Sequence, residues 1–274
     1  MNENDMHDRE FKAIKYSVHD GVATVVLNRP RFKNALNFDM RSELDEVVCV
    51  IQRDRRIKVL VLNGAGGAFC SGGDISAMQD AYTAEQARDR MLDLHLVIEN
   101  LLTLDRPIIT VIEGPAYGAG LGLALTGDLI LASTDAKFCL SFLKLGAIPD
   151  CGIFYTLPRM IGMQRAKALA FSAREFGAQE ALQMGIVAEI HSSEQIHERA
   201  ASVARALAAL PLSVLNLTKR AFNLSLDSHL GSMLELEATG QGIARSVPFH
   251  HQEATKFMQK KPLSFKWPPH GRSA

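Results

Sequence analysis

The sequence predicts an α/β fold, on three observations. Apolar strand patterns alternate with amphipathic helix patterns from residue 11 to about residue 190. Helical patterning alone then runs toward the end. Two glycine-rich segments each follow directly on an apolar strand. Stacked ββα and βα units with a C-terminal helical layer account for that order.

The elements follow in turn. Residues 11–18 alternate, Asp20 and Gly21 form a hairpin signal, and residues 22–27 make a buried strand that Pro30 ends. Asn37 is placed to cap a helix over 38–53, with Met40, Leu44, Val47, Val48 and Ile51 at helical spacing. A short apolar strand spans 58–63, and a long amphipathic helix spans 83–104, stopping before Pro107. Further strands fall at 108–112, 128–132 and 186–190. Helices are expected at 163–172, 178–184, 194–209, 212–224 and 228–244.

The whole chain sets broad limits. Its 274 residues suit one large α/β domain or a core with a helical appendage. Hydrophobic residues at 47% and charged residues at 22% allow a sizeable core and argue against disorder. Thirty basic residues balance thirty acidic ones, so no global field favours nucleic acid. Cys49, Cys70, Cys139 and Cys151 lack metal or disulfide spacing and read as reduced thiols. The polar, acidic residues 1–10 are unlike a signal peptide, no apolar run reaches membrane-spanning length, and residues 271–274 carry no peroxisomal or lipid signal. The expectation is a soluble cytoplasmic protein with no metal, no membrane partner and no nucleic-acid partner.

The chemistry lies in the two glycine-rich segments, Phe69-Cys70-Ser71-Gly72-Gly73-Asp74-Ile75 and Gly114-Pro115-Ala116-Tyr117-Gly118-Ala119-Gly120-Leu121-Gly122-Leu123-Ala124. Taken alone, both can be tight turns with close packing. A dinucleotide fingerprint fails because Leu123 stands where a third glycine is needed. No Gly-Lys-Ser/Thr follows for a phosphate loop, and Ser71 lacks the frame of a hydrolase nucleophile. What remains is a pair of backbone N–H donors for negative charge on a carbonyl oxygen.

Together with Leu27-Asn28-Arg29-Pro30 and Gly127-Asp128-Leu129-Ile130, these segments resemble the ordered motifs of the crotonase (enoyl-CoA hydratase/isomerase) family, over about residues 11–266. The resemblance implies a spiral of ββα units, a core over 1–200 with the CoA and acyl site, and a C-terminal helical trimerisation region over 201–274. It also implies an acyl-CoA thioester substrate, no separate cofactor since coenzyme A belongs to the substrate, and a homotrimer or dimer of trimers. Carried onto this chain, the oxyanion donors are the backbone N–H groups of Gly73 and Ala119. Losing one such donor costs about 2.7–4 kcal/mol. Arg29, Arg31, Phe32, Ser71 and Asp74 fall near the coenzyme A end, with Lys260 or Lys261 reaching a phosphate from the tail.

Hydratases of the family resemble one another in using two glutamates, and the matching positions here are Gly122 and Phe142. Neither residue can transfer a proton. The remaining acid/base candidate is Asp150, where an aspartate serves in family members that isomerise dienoyl-CoA or open epoxide-derived rings. The stretch 144–152 is closest to the phenylacetate-pathway epoxide–oxepin type. The same position carries the nucleophile of members that dehalogenate aromatic acyl-CoA. Read by itself, Asp150 is equally a helix cap. His95 shares a helical face with Met91, Ile98 and Leu102, which suits a core histidine or one facing the acyl pocket. Isomerisation through Asp150 is the favoured expectation; hydration, dehalogenation and non-catalytic acyl-CoA binding are the alternatives.

Overall fold

The computed structural model describes residues 11–74, 76 and 82–269. Ile75 of the first glycine-rich segment, the N-terminal residues 1–10 and the C-terminal residues 271–274 lie outside the described residues.

Strands β1 (Ile14–His19) and β2 (Val22–Leu27) form the expected hairpin, with Asp20 and Gly21 at φ of 50° and 77° between them. Helix α1 (Phe38–Arg53) begins where the Asn37 side chain accepts the Met40 N–H at 3.0 Å. Strand β3 (Val59–Gly64) follows, then α2 (Ala84–Leu102), whose first turn is closed by reciprocal Thr83 and Gln86 bonds. Next come β4 (Ile108–Ile112), β5 (Pro115–Tyr117), α3 (Ala119–Ala124), β6 (Leu129–Ser133) and β7 (Lys137–Cys139). Beyond them lie α4 (Ile153–Ile161), α5 (Met163–Ser172), β8 (Glu175–Gly177), α6 (Ala178–Met184) and β9 (Glu189–His191). The chain then runs through α7 (Ile196–Ala208), α8 (Leu212–Ser225), α9 (Leu230–Ser246) and α10 (Pro248–Met258).

One sheet has the order β1-β2-β3-β4-β6-β9, parallel except for the β1–β2 hairpin. Side chains alternate across it. Val59, Val61, Ile109, Val111 and Leu131 meet α7 through Ile196, Ala200, Val203 and Ala204. Leu60, Leu62, Ile108 and Ile112 point the other way, into the core with α1 and α2. Burial on both faces is why β3 and β4 read as continuous apolar runs. The buried Arg106 caps the C-terminal end of α1 by donating to the carbonyls of Ile51, Gln52 and Asp54. A small second sheet, β5-β7-β8, holds the second glycine-rich turn.

Several boundaries differ from expectation. The predicted strand at 186–190 is β9, shifted toward its C-terminal end. The three-residue strands β5, β7 and β8 have too few residues to show a period. Helix α4 contains Pro158, so its pattern does not read as a helix; its missing bond falls opposite the exposed Phe154. The expected helix at 228–244 is α9, and a further helix, α10, follows it after a break at Val247 before Pro248. Helix α7 crosses residue 200 while packing on the sheet. No single helix among the described residues is long and apolar enough to cross a membrane.

Candidate active site

The site begins with how the chain leaves β2. Asn34 is fully buried with φ of 56°, a left-handed conformation that asparagine tolerates. Its amide donates to the carbonyls of Ala65 at 2.9 Å and Ala68 at 2.7 Å, while its Oδ1 accepts the Arg29 N–H at 2.8 Å. Arg29 in turn donates to the Ala35 carbonyl at 2.6 Å and pairs with Asp74 at 2.8 Å. These bonds fasten the loop after β3 to the turn after β2. Asn34 was missed from sequence, where Asn28 and Asn37 stand on either side of it and nothing marks it out.

That fastening brings three backbone segments side by side. Leu36 donates to the Gly72 carbonyl at 2.8 Å and accepts from the Asp74 N–H at 3.1 Å. Because both neighbours of Gly73 bond toward Leu36, the Gly73 N–H is directed away from it. On the other side, Cys70 N–H donates to Pro115 and Tyr117 N–H to Cys70, at 3.0 and 2.9 Å. A Cβ built on Gly72 would lie 3.9 Å from the Ala119 nitrogen, so the two glycine-rich turns touch. Gly118, at φ 50° and ψ −124°, makes a bend that side-chain-bearing residues avoid, and Ala119 follows as the first residue of α3. Ala119 has no positive φ, so alanine fits there in place of glycine. Neither the Gly73 nor the Ala119 N–H has a backbone acceptor among the described residues.

Asp150 sits in the turn before α4. Cys151 and Gly152 are both left-handed, at φ 50° and 74°. The cap position of α4 is Gly152 and carries no side-chain bond, so Asp150 is not a helix cap. Its Oδ1 is buried with no hydrogen-bond partner. Burial raises the carboxyl above the ordinary range; the Cys151 thiol, Arg41 and His95 draw it back part of the way. Asp150 lines a cavity of ≈1120 Å³ together with His95, Met91, Ile98, Leu102 and Phe154. His95 is exposed toward this space, which corrects the reading of a buried core histidine. The apolar residues around it form a cavity wall, whose period is the same as that of a core face.

Gly122 and Phe142, the positions of the two hydratase glutamates and expected with His95 at the substrate pocket, are not among the residues that line this cavity. A Cβ on Gly122 would fall 2.4 Å from the Cys151 Cβ, so that position is filled by the Asp150 turn. Phe142 is buried, its ring 3.8 Å from where a Gly118 Cβ would be, and it backs the second turn. Of the residues expected near coenzyme A, Arg29, Phe32, Ser71 and Asp74 cluster: Ser71 Oγ donates to the Phe32 carbonyl at 3.2 Å, and the Arg29 guanidinium lies 4.6 Å from the Phe32 ring centre. Arg29 is engaged with Asp74 and Ala35. Arg31 and Phe32 are exposed beside it. Lys260 stands past the end of α10, exposed, and no hydrogen bond or ion pair among the described residues joins it to that cluster. Burial pushes the Cys70 thiol up to about 12 and Cys151 well above its usual value, so neither is poised as a nucleophile.

Comparison with known proteins gives the family. The family model for enoyl-CoA hydratase/isomerase matches residues 17–267. The 1,2-epoxyphenylacetyl-CoA isomerase of Escherichia coli is 34% identical over 252 residues, covering 90% of this chain and 96% of that protein. The short-chain-enoyl-CoA hydratase of Clostridium acetobutylicum is 31% identical, covering 88% and 93%. A crystal structure of an enoyl-CoA hydratase/isomerase from Cupriavidus metallidurans superposes with a TM-score of 0.90 at 36% identity, covering 96% of this chain and all of that one (100%). With a match spanning nearly its whole length and both glycine-rich turns joined at one site, the chain belongs to the crotonase, or enoyl-CoA hydratase/isomerase, family.

Proposed function

We propose that the protein isomerises an unsaturated acyl-CoA, with Asp150 as the only proton-transfer group and the N–H groups of Gly73 and Ala119 holding the enolate oxygen. One observation carries this reading. Asp150 lines an apolar cavity and has a buried carboxylate oxygen without a hydrogen-bond partner, while positions 122 and 142 hold glycine and phenylalanine.

The steps follow from that geometry. The thioester carbonyl oxygen accepts two backbone N–H bonds at the cradle. Asp150 removes a proton from one carbon of the allylic unit, and the resulting negative charge moves to the oxygen. Protonated Asp150 then returns the proton to another carbon of the same unit. Burial raises the carboxyl's basicity, which suits it to this work. No second carboxylate is needed, because nothing is added or lost. The coenzyme A end would lie over Arg31, Phe32 and Ser71, with Arg29 and Asp74 stiffening the loop beneath. Lys260 would meet a phosphate only from a neighbouring subunit, in a trimer or dimer of trimers built through α8–α10.

Hydration of a 2-enoyl-CoA is the second reading, supported by the hydratase relative at 31% identity. Purified protein supplied with a 3-enoyl-CoA and with crotonyl-CoA separates the two. Double-bond migration that disappears in Asp150→Asn supports isomerisation. Rapid hydration of crotonyl-CoA that survives Asp150→Asn would sink it, and binding of CoA esters without any turnover would leave a binding protein.

A further inference from the structure

Helix α8 changes character along its length. Leu212, Leu215 and Lys219 are buried, and no residue of the helix beyond Lys219 is. Packing on the core therefore fixes the start of α8 and leaves its end to other forces. Two polar ties supply them. The Asn223 side-chain amide donates to the carbonyl of Leu102, the last residue of α2, at 3.2 Å. Just past the end of α8, the Asp227 carboxylate accepts from Arg159 Nη2 of α4 at 2.8 and 3.1 Å, and from the Tyr155 hydroxyl at 3.4 Å. The same guanidinium lies over the Tyr155 ring, 3.6 Å from its centre, which gives the contact a fixed direction. Asn223, Leu224, Asp227 and Tyr155 all line the ≈1120 Å³ cavity that Asp150 also lines. The end of α8 is thus a wall of that cavity, tied to α2 by Asn223 and to α4 by Asp227.

We propose that the Arg159–Asp227 clasp is a specificity determinant, holding the end of α8 where it fits the cavity to a bulky apolar acyl group. The inference rests on the reading above only in taking an acyl-CoA as the ligand; it does not depend on which reaction Asp150 performs. The cavity is of a size that encloses a whole ligand, and Met91, Ile98, Leu102, Phe154 and Leu224 give it apolar walls. A butanoyl group would leave most of those walls in water, whereas a longer or ring-bearing group covers them. Arg159 and Asp227 act by position, through the wall they hold. Their side chains are 31% and 51% exposed, so the pair contributes little to folding and can be cut without unfolding the chain. Cutting it frees a wall that core packing does not hold.

The test measures dissociation constants of butanoyl-CoA and octanoyl-CoA by calorimetry, both saturated esters with no double bond to move. Each CH₂ buried against the walls is worth about fourfold in affinity, so octanoyl-CoA should bind the unmodified protein on the order of 10²-fold more tightly. In Asp227→Ala, and equally in Arg159→Met, that ratio should fall to about tenfold or less, with the affinity for butanoyl-CoA unchanged. The double variant should lose no more than either single one, because both break the same contact. An unmodified protein that binds the two esters alike would overturn the proposal, as would variants that keep the full ratio. Equal weakening of both esters would also overturn it, since that makes the clasp a general support and not a determinant of acyl size. Should one variant fail to fold, the other carries the same prediction from the opposite side of the clasp. Failure of every CoA ester to bind the unmodified protein would overturn the acyl-CoA reading itself, and this inference with it.

Discussion

A Cβ at position 122 would stand 2.4 Å from the Cβ of Cys151, the residue that follows Asp150. Helix α3 and the aspartate turn therefore share one volume, and a side chain on α3 and this turn exclude each other. The position where hydratases carry their first glutamate is closed here by packing, not merely altered in sequence. Gly122→Glu is accordingly expected to lose isomerase activity without gaining hydration of crotonyl-CoA. Gly122→Ala should lower stability by about 1–3 kcal/mol, read by thermal or denaturant unfolding, because the turn must move to admit one methyl group. A stable Gly122→Glu protein that hydrates crotonyl-CoA would show that the turn yields easily.

Asp150→Asn separates chemistry from stability. General acid–base groups contribute about 10²–10⁴-fold to rate, so activity should fall by that order. Stability should move the other way. The folded-state carboxyl titrates above its unfolded value because burial penalises the charged form. That penalty is present once the pH exceeds the folded value and absent below the unfolded value of about 4. Melting temperatures of Asp150→Asn should thus exceed those of the unmodified protein at neutral pH, with the difference closing as pH falls toward 4. An equal or lower melting temperature at pH 7 would mean that the carboxylate is better satisfied than its geometry indicates.

Much of this was legible in the sequence, and the parts that were not share a cause. The strands at 59–64 and 108–112 and the Asn37 cap show themselves because their signals are local and repeat. The two glycine-rich turns are equally local, each set by residues within a single stretch of chain. His95 was ambiguous because Met91, Ile98 and Leu102 wall a cavity at the same helical spacing that would mark a core. Asn34 and the Gly122–Cys151 contact were invisible because each joins residues distant in sequence. Arg29 shows the same limit: its motif gave its place, but only the fold shows that Asp74 takes up its charge.

Arg29 supports the loop of Gly73 through Asp74, with side-chain exposures of 15% and 11%. The Ser76 hydroxyl first and then Arg29 hold the Asp74 carboxyl below its ordinary value. A carboxylate of that kind stabilises the fold above its unfolded value, and the contribution is lost as pH falls through the folded one. Arg29→Ala should destabilise by about 2 kcal/mol at neutral pH, since a charge-assisted bond is broken and a half-buried partner is left behind. The loss should shrink under acid. Because the loop carries a cradle donor, kcat should fall more than the affinity for a CoA ester. A change confined to affinity would instead place Arg29 directly on the substrate.

The C-terminal helices carry the last prediction. Helix α9 has no buried residue, yet it presents Leu230 at 74% and Leu234 at 52% exposure, and α10 presents Phe257 at 73%. Lys219 on α8 anchors this arm, pairing with Asp128 at 2.8 Å and donating to the Arg106 carbonyl at 3.2 Å. Apolar surface left in water forgoes about 25 cal/mol for each Å² that could be covered. A second copy of the chain covering these helices would relieve that deficit, as the proposed trimer requires. Light scattering should give a mass of three or six chains for the unmodified protein. Leu230→Glu with Leu234→Glu should yield monomers that keep the circular dichroism of the core, because neither side chain is part of it. A monomeric unmodified protein at micromolar concentration would rule out assembly through this surface and, with it, a role for Lys260 in a neighbour's site.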